Sequence, residues 1–180
     1  MSNVLRCSLT HLAAIVRWIN RQAVWEACNV LAQRQSLPWQ SDESGNLCHR
    51  RQVSGGKGEI TLCITDTCTP DAPVALDAEA AQTAISAWDI RAACLHLIYA
   101  AYATSLERPW EQTFTVSDQE ISDYLGLGKR KDLSKLAKLT LIKNLVEQPC
   151  KLLVTIDWAP QGRFRKITVP QSQLWHLIKT

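Results

Sequence analysis

The chain has 180 residues, 46% apolar and 21% charged, with a formal net charge of +3. This is ordinary globular usage, which excludes wholesale disorder and is enough for one domain of comfortable size or two small ones. The seven cysteines form an odd, widely spread set, which excludes a secreted disulfide scaffold.

Residues 9 to 34 place Leu12, Val16, Ile19, Ala23 and Val30 on one stripe, with Arg17, Arg21 and Cys28 opposite. That spacing predicts an amphipathic helix, capped by Ser8 or Thr10. Trp18 and Trp25 form a second apolar ridge on it, a candidate contact for a homodimer through this N-terminal helix. The N-terminus shows no signal-peptide pattern.

Ser36 to Gly45 is polar, contains Pro38 and carries no period, so it is predicted to be a loop. Leu47 to Val53 and Glu59 to Thr65 then form a predicted hairpin across Ser54-Gly55-Gly56-Lys57-Gly58, with Ile60, Leu62 and Ile64 on one face. Thr67 to Pro73 is a second loop.

From Ala78 to about Thr104 one long helix is expected, apolar on two sides. Its stripes are Ala81, Trp88, Ala92, Leu95, Tyr99 and Tyr102, and then Ile90, Cys94, Leu97 and Ala101. Asp89, Arg91 and His96 interrupt it, so it offers no uncharged run long enough for a bilayer. A soluble cytoplasmic protein is the expectation.

Gln112 to Val116 alternates like a short strand, and Ser117-Asp118-Gln119-Glu120 is a capping box that opens the next helix. Leu125-Gly126-Leu127-Gly128 supplies a tight turn. A third helix follows from about Lys129, with Leu133, Leu136, Ala137 and Thr140 on one side and Lys131, Lys135 and Lys138 on the other. Beyond Leu139 its faces stop agreeing, so it either ends early or is buried on both sides. Leu152 to Trp158 and Phe164 to Val169 are β-rich runs joined by Ala159-Pro160-Gln161-Gly162-Arg163, a predicted hairpin. Leu174, Trp175, Leu177 and Ile178 make an apolar tail expected to fold back onto the core.

This order of helix, strand, helix, turn, helix, strand, wing and strand resembles the winged-helix superfamily of DNA-binding domains over about residues 78 to 176. The resemblance implies an α+β, mainly helical fold: a winged helix-turn-helix at 77–180, with an N-terminal helix and small β-hairpin (1–76) packed on it. In that family the third helix enters the major groove and the wing lies on the backbone or minor groove. The residues so implicated are Lys129, Arg130, Lys131, Ser134, Lys135 and Lys138 on the helix, and Arg163, Arg165 and Lys166 on the wing.

The charge distribution points the same way. Residues 129 to 166 hold ten Lys or Arg against Asp132, Glu147 and Asp157, a local +7 that leaves −4 for the rest of the chain. Such a segment is the electrostatic footprint of a nucleic-acid face, because phosphates present a line of charges that clustered lysines neutralise.

Two other chemistries are weaker. Cys48, His49, Cys63 and Cys68 include four side chains of the types that hold tetrahedral zinc, or an iron–sulfur centre in place of it. Their spacing contains one Cys-x4-Cys and no second matched pair, and Cys48 and His49 point to opposite faces of a strand. Gly55-Gly56-Lys57-Gly58 is followed by a strand where a phosphate loop needs a helix, so a hairpin turn accounts for it. None of the histidines at 11, 49, 96 and 176 adjoins a recognisable nucleophile turn, and no enzyme or cofactor is expected. The expected function is double-stranded DNA binding, as a transcription regulator or as an initiator or accessory factor of DNA replication. The alternatives are a protein–protein interaction module on the same scaffold and a metal-binding regulator using the N-terminal cysteines.

Overall fold

The computed structural model describes every residue except 8–14, 54, 56, 69–72, 110, 160–165 and 179–180, and the side chains at 7, 15–20 and 167 also lie outside the description. The described residues form two antiparallel sheets and five α-helices. The smaller sheet has β1 (Ser2–Cys7) at its centre, between β5 (Phe114–Ser117) and β8 (Trp175–Ile178). The larger sheet runs β2 (Gln40–Ser41), β3 (Leu47–Val53), β4 (Gly58–Ile64), β6 (Leu152–Trp158) and β7 (Ile167–Gln173).

The larger sheet overturns the expected mainly helical winged fold. The β3–β4 hairpin forms as its alternation predicts, but its second edge is taken by β6 in a register running from Gly58 opposite Trp158 to Ile64 opposite Leu152. The β6–β7 hairpin is therefore part of a five-stranded core and not a wing flanked by solvent. The physical reason lies in the residues of β6: Leu152, Leu153, Val154 and Ile156 are all completely buried. A strand apolar on both faces needs cover on both: Leu152, Val154 and Ile156 pack in the main core and Leu153 packs with Cys48 and Cys63 on the other face, which a solvent-flanked wing would not provide. The strand β5, which a winged helix would pair with its wing, lies instead on β1, with Ser2 opposite Ser117 and Leu5 opposite Phe114. Both sheets thus combine strands from either side of the expected 76/77 boundary.

Helix α1 (Ile15–Gln33) buries Ala23, Ala27, Val30 and Leu31, spaced to share one face, and packs on α3, β3 and β4. The predicted long helix is two: α2 (Ala78–Ser86) and α3 (Arg91–Thr104). Asp89 breaks it. Its carboxylate accepts from the backbone N–H of Arg91 at 2.9 Å, and its own backbone N–H is taken by the side-chain oxygen of Gln148. Short polar side chains compete with helix continuation in this way, and here a distant partner completes the break.

The apolar tail does fold back. Trp175 and Leu174 are buried, and β8 pairs with β1, with Leu5 opposite Leu177. Trp175, Tyr99 and Phe114 form a mutual aromatic cluster with ring centroids 5.8–6.1 Å apart, which joins the smaller sheet to α3. Among the described residues, no helix is long and apolar enough to cross a membrane.

Candidate nucleic-acid interface

Helix α4 (Asp118–Tyr124) begins where the capping box predicts. The Ser117 hydroxyl accepts from the Glu120 backbone N–H, and the Glu120 carboxylate accepts from the Ser117 backbone N–H at 2.7 Å. Leu125 ends it, and Gly126 turns the chain with φ 65°, a left-handed conformation that glycine adopts without steric cost. Leu127 is then buried in a single 3-10 turn, Leu127–Lys129, which pins the connection to the core.

The next helix starts later than expected. α5 spans Lys135–Glu147, because the Ser134 hydroxyl caps it by accepting from the Ala137 backbone N–H at 3.1 Å. Lys129, Arg130 and Lys131 therefore lie in the exposed connection ahead of the helix and not on it. The connection from Leu125 to Ser134 is also longer than the three or four residues of a compact helix-turn-helix.

The face of α5 is corrected too. Leu136 and Thr140, expected on the apolar side with Leu133 and Ala137, point outward, with Leu136 75% exposed. Burial falls on Ile142, Leu145 and Val146. The second half of the helix, where the sequence pattern loses agreement, sets which side faces α3 and α4. The outward face consequently carries Lys135, Leu136, Leu139, Thr140, Lys143 and Asn144. Lys143 and Asn144 were not singled out from sequence. Their signal is positional: Lys143 stands seven residues after Leu136 and Asn144 four after Thr140, on the same face.

The charges around this face are not equivalent. Arg130 is held by Asp132 through two guanidinium–carboxylate contacts, Nε to Oδ1 at 2.7 Å and Nη2 to Oδ2 at 2.5 Å. That pairing, by hydrogen bonding first and then by charge, lowers the Asp132 carboxyl to about 2. Lys138 is half-buried with Nζ 3.5 Å from the Gly128 carbonyl, so it braces the connection. Lys129, Lys131, Lys135 and Lys143 are exposed and make no ion pair with another described residue. Lys129, Lys131 and Lys135 lie at or just before the start of α5, whose first turn contains no acidic residue, so the positive end of the helix dipole adds to their field, while Lys143 stands in the second half of the helix on the same exposed face. Helix α4, by contrast, exposes Glu120 and Asp123. Of these two helices, only α5, with the connection before it, presents a positive surface.

The expected wing residues Arg163 and Arg165 lie outside the described residues. Lys166 is exposed on a different part of the fold, where the chain enters the outer strand of the larger sheet.

The four proposed metal ligands do not converge. Cys48 and Cys63 are opposite one another on β3 and β4, Sγ to Sγ 2.8 Å. His49 is turned to the other face, where its ring is 3.4 Å from the buried Glu26 carboxylate and edge-on to Trp39. Cys68 belongs to the main core, separate from the small cluster of Cys48, Cys63 and Leu153. Among the described residues, no group of three or more metal-ligating side chains is present. Compared with known proteins, the chain matches no family model, no curated protein and no solved structure.

Proposed function

We propose that this is a cytoplasmic, non-enzymatic protein that binds double-stranded DNA, in transcription regulation or DNA replication, through the exposed face of α5 and the connection before it. The observation that carries this reading is the set of exposed Lys129, Lys131 and Lys135 at a helix start whose first turn contains no carboxylate, with Lys143 farther along the same exposed face. Lysines on a helix end neutralise phosphates, while Thr140 and Asn144 supply hydrogen-bonding groups on the same face for base edges. Leu136 and Leu139 suit the methyl groups of thymine.

The test is a duplex-DNA titration across a salt series, with the wild type and a Lys131/Lys135/Lys143 triple alanine variant. Each lost phosphate contact lowers the slope of log affinity against log salt by about one. Affinity that falls steeply with salt in the wild type and collapses in the variant is the expected result; equal affinities would contradict the reading.

A second reading, homodimerisation or capture of a protein partner through α1 and α3, is favoured by one observation. Trp25 on α1 is 68% exposed, and Ile90 and Leu97 beside and on α3 are 54% and 46% exposed. Helices α1 and α3 pack on one another, and each carries an exposed apolar side chain. Trp25→Ala together with Leu97→Ser converts a dimer to a monomer in sedimentation if this surface is the contact.

A further inference from the structure

The same cysteine pair that fails as a metal site has the geometry for another reaction. Cys48 and Cys63 are direct register partners in an antiparallel ladder, and their sulfurs are 2.8 Å apart. Directly opposed residues have Cα atoms about 4.5–5.5 Å apart, inside the range of about 4.4–6.8 Å that a disulfide spans, so a bond requires no movement of the strands. The pair sits apart from the main core, in a small cluster with Leu153 and with Ala75 packed against it. Asp42 and the exposed Arg50 and Gln171 surround it. The cluster therefore lies one layer below the surface.

The surroundings of the two sulfurs differ. Cys48 faces acceptors, with the Asp42 carboxylate and the Asn46 carbonyl each 3.7 Å away. These hold it as a thiol. At Cys63 the contact from Cys48 is the largest influence and favours the thiolate, burial and the Asp42 charge oppose it, and the Arg50 charge and the Gln171 side chain add smaller favourable effects. Hydrogen bonding from Cys48 pushes the Cys63 thiol below its ordinary value, and the reciprocal contact pushes Cys48 up.

We propose that Cys48 and Cys63 are a peroxide-sensitive thiol pair, with Cys63 the attacking sulfur and Cys48 the resolving one, that closes reversibly to an intrachain disulfide between β3 and β4. Both residues are almost completely buried, which limits the reactant to a small one, and the oxidant proposed is a hydroperoxide no larger than hydrogen peroxide. In the first step the Cys63 thiolate attacks one peroxide oxygen, the O–O bond breaks, and protonation of the leaving hydroxide yields water and a sulfenic acid. In the second the Cys48 sulfur attacks the Cys63 sulfenic sulfur, the S–O bond breaks, and the Cys48 proton leaves with the hydroxide as a second water. Overall two thiols lose two electrons and two protons, and one peroxide becomes two waters. An external dithiol restores the pair. This inference is independent of the DNA-binding reading.

The experiment uses the whole chain, reduced, freed of reductant and treated with hydrogen peroxide at low molar excess, then alkylated, digested and mapped by mass spectrometry. The expected result is loss of two alkylatable thiols, a peptide joining Cys48 to Cys63, and recovery of both thiols with dithiothreitol. Cys48→Ser should leave a sulfenic acid on Cys63 that a dimedone-class reagent captures, whereas Cys63→Ser should leave Cys48 alkylatable at the same dose. Oxidation at Cys94 or a Cys28–Cys94 link, with Cys48 and Cys63 still free, overturns the proposal. Capture at Cys48 in Cys63→Ser as readily as at Cys63 in Cys48→Ser overturns the assignment of roles. The wild-type mapping needs no variant to fold.

Discussion

Trp175 donates its indole N–H to Nδ1 of His96 at 2.9 Å, and the opposite ring nitrogen of His96 donates to the Val24 carbonyl at 2.7 Å. One buried imidazole thereby joins β8, α3 and α1, and its two hydrogen bonds demand the neutral form protonated at Nε2 alone. A second proton would set N–H against N–H at Trp175. Burial accordingly lowers the His96 pKa from 6.5 to about 4.

The sign of the resulting pH dependence is defined. Above pH 6.5 the histidine is neutral whether folded or unfolded, and the contribution is fully present. As pH falls from 6.5 towards 4 the unfolded chain takes up a proton that the folded chain refuses, so stability declines through that window. By pH 4.5 the loss amounts to about 2–3 kcal/mol. His176, lowered by desolvation and then by Arg6, acts in the same direction. Urea unfolding at pH 7.5 and 4.5 should show a larger loss for the wild type than for His96→Gln, which keeps a donor and an acceptor but does not titrate. Equal losses would remove His96 as the cause.

Gly58 has no room for a side chain. A Cβ there would collide with the Trp158 ring, which lies across it from the opposed position on β6. Gly58→Ala is expected to cost about 2 kcal/mol through overpacking, and the cost should shrink when Trp158→Val is made with it. A double-mutant cycle by chemical denaturation measures the coupling; additive effects would show that the backbone of Gly58, and not the indole, sets the requirement.

Arg34 follows α1 with φ 52°, a left-handed conformation unusual for a residue with a side chain. It is held there on both sides: its guanidinium donates to the Trp88 carbonyl at 3.1 Å, and its own carbonyl accepts the Trp39 indole N–H at 2.7 Å. Arg34→Ala loses the guanidinium contact and keeps the strain, whereas Arg34→Gly loses the contact and relieves it. The glycine variant should therefore be more stable than the alanine variant by about 1 kcal/mol in thermal unfolding. Identical midpoints would mean that the backbone relaxes out of this conformation.

Asp132 neutralises Arg130 at the proposed DNA face. Asp132→Asn removes a carboxylate that repels phosphate and releases Arg130 to contact one. Affinity for duplex DNA should rise, and its salt dependence should steepen by about one unit of slope. A fluorescence anisotropy titration at several salt concentrations reads both; weaker binding would place Asp132 in an ordering role for the connection.

Local chemistry was legible in the sequence wherever neighbours along the chain decide the outcome. The capping box at Ser117, the hairpin of β3 and β4, the turn glycine at 126 and the apolar tail from Leu174 to Ile178 all belong to this class, because each depends on a few adjacent residues or on a short period. The clustering of positive charge between 129 and 166 is equally a property of the sequence. What only the tertiary structure decided is pairing across long separations. The junction of β4 with β6 turned an expected wing into the middle of a sheet, and β1 took the strand that a winged helix would have used there. Strand edges carry the same N–H and C=O groups whatever their sequence, so alternation predicts a strand without naming its partner. The same limit applied to α5, whose outward face was chosen by the burial of Ile142, Leu145 and Val146 against helices distant in the chain. It also applied to Cys48 and Cys63, which only the register of two strands brings into contact.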